Sequence, residues 1–169
     1  MEDARKTAER QKKVQAYRDL LRSLAPLEGV YVPDAASVSD CLRKAHLSEQ
    51  EAVSSMLARQ QLSAEEPGRN PPQELSKAAI AAYWANAGEL YGAAATEYVL
   101  LSEPAGAFKC FRKAAVQCRR AAALGPPDSS RLLEKVQEFR QKAAILRHEL
   151  ARRSLRRRKF SLGLLGRLR

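Results

Sequence analysis

The residues best suited to chemistry in this chain are three cysteines, Cys41, Cys110 and Cys118, and two histidines, His46 and His148. No CxxC pair occurs, and neither histidine stands at metal-ligand spacing from a cysteine or a carboxylate pair, so we expect no metal site. The chain also lacks a glycine-rich phosphate loop, a GxSxG turn and an HExxH helix. Nothing in the local sequence supports a Cys–His pair. The sequence therefore favours a protein that is not an enzyme and uses no cofactor.

The composition indicates which elements position these residues. Of 169 residues, 45% are apolar, 29% are charged and only 6% are aromatic. Helix formers such as Ala, Leu, Arg, Glu and Lys predominate, whereas β-branched residues are scarce. No stretch has the roughly 20 apolar residues that cross a bilayer, and the charged N-terminal segment lacks the apolar centre of a secretory signal. We expect a soluble, all-α protein in the cytoplasm, with endosomes, cytoskeleton and nucleus left open as destinations.

The formal net charge of +11 is concentrated near the C-terminus. Residues 1–62 contain 10 basic and 9 acidic side chains, and residues 63–127 contain 7 and 6. Residues 128–169 contain 13 and 4, and the last 18 residues contain eight basic side chains and no acid. The basic character is therefore predicted to belong to a tail over residues 152–169 rather than to a globular surface.

The pattern of residues 1–62 predicts a helical N-terminal extension, in which we identify no catalytic or ligand-binding motif. A first helix is predicted over residues 2–24, where apolar residues recur at helical spacing. Ser37 and Ser48 are each followed three residues later by an acid, which predicts the starts of two further helices. The second of these is expected to bury Val53, Met56 and Leu57.

Residues 63–73 contain three prolines and a glycine and predict a linker. Three longer helices are expected over residues 74–151. The first runs from about 73 to 101, the second is capped by Ser102 and ends at Gly125, and the third follows Asp128. Because the turns between them are short, the helices must run antiparallel, which predicts a three-helix bundle.

Apolar positions at spacings of three and four mark the face that each bundle helix buries. In the first helix they are Tyr83, Ala87, Leu90, Ala94, Tyr98 and Leu101. In the second they are Ala107, Phe111, Ala114 and Cys118. In the third they form a heptad seam of Leu132, Val136, Phe139, Ala143, Leu146 and Leu150.

The first two bundle helices contain an ordered set of aromatic and alanine residues, Tyr91, Tyr98, Ala107, Phe111 and Ala114. These residues stand in the register of the aromatic, tyrosine, alanine, aromatic and alanine positions of the tetratricopeptide repeat, so the two helices resemble a tetratricopeptide hairpin. Ala95 and Arg119 depart from the pattern, where the family prefers glycine and proline. Only one such unit is visible, whereas a solenoid needs about three. The resemblance therefore implies a single hairpin and not a repeat array.

The third bundle helix contains, in order, Lys135, Glu138, Phe139, Lys142, Ala143 and Leu146. This run resembles the third helix of the MIT (microtubule interacting and trafficking) domain, a three-helix bundle whose first two helices look like one tetratricopeptide hairpin. The middle helix, AGAFKCFRKAAVQCRRAAAL, is also similar to the family's second helix. The resemblance covers about residues 84–150, and Ala144 departs from it by replacing an acid.

This resemblance implies a non-enzymatic adaptor. MIT domains bind short C-terminal motifs of ESCRT-III subunits, and lay the partner's helix between their second and third helices. In this chain the peptide-binding groove would consist of Arg112, Ala115, Arg119, Leu133, Val136 and Arg140. Arginines beside an apolar trough would suit motifs that combine acids with leucines.

The C-terminal tail predicts contacts with polyanions. The basic residues expected to make them are Arg152, Arg153, Arg156, Arg157, Arg158 and Lys159. Anionic lipid, acidic tubulin tails and RNA remain alternative targets, as does a tail that binds nothing. Ser161 follows two basic residues at the spacing that basophilic kinases prefer, and a phosphate there would weaken such contacts. A second hypothesis for the whole protein is a structural subunit of a ribonucleoprotein or cytoskeletal assembly, with the tail lying along polyanion.

Overall fold

The computed structural model describes residues 35–165 and, before them, Glu9, Gln11, Lys12, Gln15, Ala16, Asp19 and Leu20; side chains are described as far as Arg156. Between residues 35 and 165 the chain is helical and has no strand, which confirms the all-α prediction. The helices are α1 (Ala35–Glu65), α2 (Lys77–Leu100), α3 (Pro104–Ala123) and α4 (Ser129–Leu165), with a short 3-10 helix at Gln73–Leu75. None of these helices is long and apolar enough to cross a membrane.

The helices pack mainly on their neighbours in sequence: α1 on α2, α2 on α3, and α3 on α4. Side chains of α4 also reach α2, where Lys135 pairs with Glu89 and Phe139 lies against Gly92. Because α2 has neighbours on both sides, it is buried along two faces. The domain boundary expected at residues 63–73 stays a prediction, but the structure packs α1 directly on the helices that follow it.

Helix α2 approaches its neighbours closely because it presents glycines to them. A methyl group added at Gly88 would lie 2.5 Å from the Cys118 sulfur, and one added at Gly92 would lie 2.7 Å from the Phe139 ring.

Helix α2 starts four residues later than expected. Ser76 caps it, with a hydroxyl that accepts a hydrogen bond from the Ala79 amide at 3.1 Å.

Helix α1 corrects the prediction of two separate helices after residue 37, since it runs unbroken from Ala35 to Glu65. Ser48 caps nothing: its side chain is buried, donates to the Tyr83 carbonyl oxygen at 2.9 Å and accepts from the Asn86 amide at 3.1 Å. The predicted burial of Val53 and Leu57 is also wrong, since they are 46% and 55% exposed. From Ala45 onward, the buried positions of α1 are the small residues Ala45, Ser48 and Ala52, which let α1 and α2 approach each other closely.

A second group of polar contacts ties α1 to α2 and α3. The buried Tyr91 hydroxyl donates to Glu49 Oε2 at 2.8 Å, and the Gln117 side-chain amide donates to the other oxygen of Glu49. His46 Nδ1 lies 3.3 Å from the same hydroxyl, and the Lys113 ammonium lies over the Tyr91 ring at 4.9 Å. Burial and the neighbouring Glu49 carboxylate raise the pKa of Tyr91.

Helices α3 and α4 bury the faces that the sequence predicts. All four predicted positions of α3 are buried, as are those of the α4 seam except Leu150, which is half-buried. Gly125 has a φ of 70° just beyond the end of α3, as its role at the helix end requires. The predicted cap at Ser102 is wrong: Glu103 holds that position without a side-chain bond, although Pro104 does begin the helix.

Helix α4 continues to Leu165, although we expected it to end near residue 150. No glycine or proline interrupts residues 129–162, so nothing in the sequence stops the helix there. Glu149 also pairs with Arg152 and Arg153, three and four residues later, which supports the helix across this point. Residues 152–165 of the predicted basic tail are therefore a continuation of α4.

Candidate peptide-binding groove between α3 and α4

A long groove of about 930 Å³ runs between the outer faces of α3 and α4. Its lining comes from these two helices, and no described residue of α1 or α2 takes part. The residues are Phe108, Arg112, Ala115, Val116, Arg119, Arg120 and Ala123 from α3, with Arg140, Ala143, Ala144 and Arg147 from α4. In each helix they recur at spacings of three and four, so they form one continuous face.

The floor of the groove is built from alanines. Ala115 and Ala143 are buried at the line where α3 meets α4, and Ala123 and Ala144 flank them in exposed positions. Because alanine side chains are short, they leave room for larger apolar side chains of a ligand between the two helices. Phe108 adds the one aromatic surface of the lining.

The walls of the groove are cationic. Five arginines line it, and no acidic residue does so among the residues that the structure describes. Arg120 interacts with other side chains of the protein: its guanidinium lies 4.7 Å from the centre of the Trp84 ring and donates a hydrogen bond to Gln117 at 3.2 Å. The other four are exposed and form no ion pair with any described residue; they are Arg112, Arg119, Arg140 and Arg147. Arginine guanidinium groups that lack carboxylate partners are ready to bind anionic groups of a ligand.

Four of the six predicted groove residues lie together in this lining: Arg112, Ala115, Arg119 and Arg140. Leu133 and Val136 do not. Val136 is 4% exposed because it belongs to the buried seam, and Leu133 is 50% exposed outside the groove. The groove face of α4 is rotated from that seam and begins at Arg140. Arg147, which the sequence analysis missed, could have been found because it lies seven residues after Arg140 on the same face.

The predicted polyanion-binding residues are only partly free. Arg152 and Arg153 both donate to Glu149, whose side chain is 5% exposed, at 2.8 to 3.0 Å. Burial raises the pKa of Glu149, but these hydrogen bonds lower it more, so that the pKa lies below its usual value. Arg156 is exposed. The side chains of Arg157, Arg158, Lys159 and Ser161 lie outside those that the structure describes.

Cys110 and Cys118 are buried among the apolar side chains of the core. Burial raises the pKa of Cys110 and raises that of Cys118 to about 11, which keeps both thiols protonated. His46 lies against Tyr91 and Glu49, and not against a thiol. Within the described part of the chain, no three His, Cys, Asp or Glu side chains are grouped as metal ligands would be.

No protein family, no curated protein and no solved structure matches this chain. The resemblance to MIT domains and to the tetratricopeptide hairpin therefore stays a prediction made from the sequence. The function of the groove has to be argued from its own alanines and arginines.

Proposed function

We propose that this protein is a non-enzymatic adaptor that binds an acidic amphipathic helix of a partner protein in the α3–α4 groove. The observation that carries the proposal is the alanine floor between walls of arginines that no described carboxylate neutralises. A C-terminal tail of an ESCRT-III subunit is the partner that the MIT resemblance implies. Such an adaptor would act in vesicle trafficking, with the basic end of α4 helping to localise it.

The two parts of the groove favour a helix over other ligands. An amphipathic helix places its apolar side chains on one face, and these can enter the space above Ala115 and Ala143. Its flanking acids then reach the guanidinium groups on both walls and form charge-assisted hydrogen bonds. A purely apolar helix would leave the arginines without partners, and a purely acidic chain would leave the floor exposed.

The proposal is tested by titrating the full chain with a panel of helical peptides that includes ESCRT-III C-terminal tails. We expect micromolar binding that Arg119→Glu weakens by at least about tenfold, because it removes one attraction and adds a repulsion. Arg119 is exposed, so the fold should survive the change. A substitution at the buried Val136 would test stability as much as binding.

Arg131→Glu is the matched control, since Arg131 is exposed on α4 and lies outside the groove lining. It makes the same change in net charge and should leave binding nearly unchanged. Equal losses in both variants would show a general charge effect, and binding of no peptide would refute the adaptor function.

A second candidate function is a structural subunit whose basic segment contacts polyanion. The observation that favours it is the extension of α4: Leu150, Arg153 and Ser154 lie beside the start of α3, so the residues that follow continue past the end of the bundle. Binding of RNA, anionic vesicles or tubulin that is unaffected by Arg119→Glu would support this function instead.

A further inference from the structure

The four exposed arginines of the groove are spaced in the same way on both walls. Arg112 and Arg119 are seven residues apart on α3, and Arg140 and Arg147 are seven residues apart on α4. Seven residues are almost two turns of an α-helix, or about 10.5 Å along its axis. Each wall therefore presents two guanidinium groups on one face, two turns apart.

Between each pair of arginines the wall is apolar. Ala115 and Val116 separate the arginines of α3, and Ala143 and Ala144 separate those of α4. The groove consequently has an uncharged central part and positive charge towards both ends. A ligand whose acids lie close together would bury one of them against alanines, where it loses water without gaining a partner.

We propose that the groove selects partner helices whose acidic residues are seven positions apart, with aliphatic residues at the third and fourth positions between them. This inference rests on the proposed function and specifies the ligand of the same site. In a helix, residues seven apart share a face and are separated by the same length of about 10.5 Å. The two acids then reach the two arginines of a wall, and the aliphatic residues face the alanine floor.

The contacts of Arg120 within the protein support the proposed spacing of seven residues. Arg120 directly follows Arg119, and if it were also available to a ligand, acids at spacings other than seven could bind to this wall. Its guanidinium lies over Trp84 of α2 and donates to Gln117, on the side of α3 where Val53, Met56 and Leu57 of α1 also lie. The guanidinium of Arg112 also lies near a ring, 5.7 Å from the centre of Phe108, but that ring is itself part of the groove lining. The wall of α3 therefore presents Arg112 and Arg119, neither of which forms an ion pair with a described residue, to a ligand in the groove.

The test uses the full chain and three helical peptides of identical composition, which differ only in the position of one glutamate. Glutamates four, seven and eleven residues apart share a face, but are about 6, 10.5 and 16.5 Å apart along the axis. We expect the peptide with spacing seven to bind about fivefold or more tightly than the other two, because only it engages both arginines of a wall. Isothermal titration at constant salt measures the three affinities.

Charge reversal then assigns each acid to an arginine. Binding of the spacing-seven peptide to Arg119→Glu should be restored by exchanging one of its glutamates for arginine, and not by exchanging the other. For Arg112→Glu the restoring position should be the opposite one. For Arg131→Glu, which lies outside the groove, neither exchanged peptide should bind more tightly than the parent peptide does.

The outcomes separate this inference from the proposed function. If all three peptides bind equally, the spacing rule is wrong although the adaptor function stands. If none binds, both are wrong. If single-stranded RNA binds more tightly than all three peptides and displaces them, the groove recognises negative charge alone and the spacing rule is again wrong.

Discussion

One carboxylate of α4, Glu149, pairs with the first two arginines of the basic C-terminal segment. It is 5% exposed, and it accepts hydrogen bonds from Arg152 and Arg153 on the next turn of α4. Burial alone would raise its pKa, but the two arginines keep it charged. Two of the cations expected to bind polyanion are therefore used to neutralise an acid of the same helix.

The lowered pKa of Glu149 predicts a pH dependence of stability. Because the folded state holds this carboxyl charged more strongly than the unfolded state does, its contribution is present above the usual value of 4.5 and is lost as the pH falls below it. In Glu149→Gln we expect lower stability at neutral pH and a smaller further loss on acidification. Urea unfolding followed by circular dichroism between about pH 3 and pH 7 measures this. Parallel curves for the two proteins would show that Glu149 contributes nothing to the pH dependence.

At the scale of elements, α1 is held by polar contacts as well as by its small apolar residues. Ser48 bonds to α2, and Glu49 accepts from Tyr91 of α2 and from Gln117 of α3. These bonds have to form within a buried contact between helices, where a missing partner is costly. The docking of α1 therefore depends on residues that are distant in sequence.

Removing the Tyr91 hydroxyl should weaken this docking. We expect Tyr91→Phe to lower the free energy of unfolding by about 1 to 3 kcal/mol, because a hydrogen bond to a charged group is lost inside the protein. Hydrogen exchange should rise most in α1. Tyr98→Phe is the control, since its hydroxyl makes no hydrogen bond to any described residue. Equal losses in the two variants would contradict a role for the Glu49 contacts.

At the scale of the whole molecule, positive charge is concentrated on α3 and towards the C-terminus. The chain has a formal net charge of +11, and α3 contains five basic residues and no acid. The groove and the C-terminal segment therefore add to the same positive field. For the proposed acidic ligand, such a field would speed the encounter, and contact with the apolar floor would slow dissociation.

This distribution predicts a strong dependence on salt. Raising the ionic strength from about 0.1 M to about 1 M shortens the screening length from about 10 to 3 Å. We expect the affinity for an acidic helical peptide to fall roughly tenfold, mainly through slower association. Arg119→Glu should show a smaller fall, which stopped-flow fluorescence can measure. An affinity that rises with salt would mean that apolar contact alone drives binding.

The sequence by itself determined that the described part of the chain is all-α and, for α3 and α4, which face of each helix is buried. Both follow from local propensity and from spacings of three and four, as the buried seam from Leu132 to Leu146 shows. The resemblance to the MIT domain implied a groove with Arg112, Ala115, Arg119 and Arg140 in its lining, and these four residues line one groove in the structure.

Only the tertiary structure decided what each helix packs against. Spacing along one helix cannot show that α2 has neighbours on two sides, that Ser48 bonds to another helix, or that Leu133 of α4 lies outside the groove. These outcomes depend on the rotation and approach of helices that are far apart in sequence. Gly88 and Gly92 allow α2 to approach Cys118 of α3 and Phe139 of α4 closely, and a larger side chain at either position would push these helices apart.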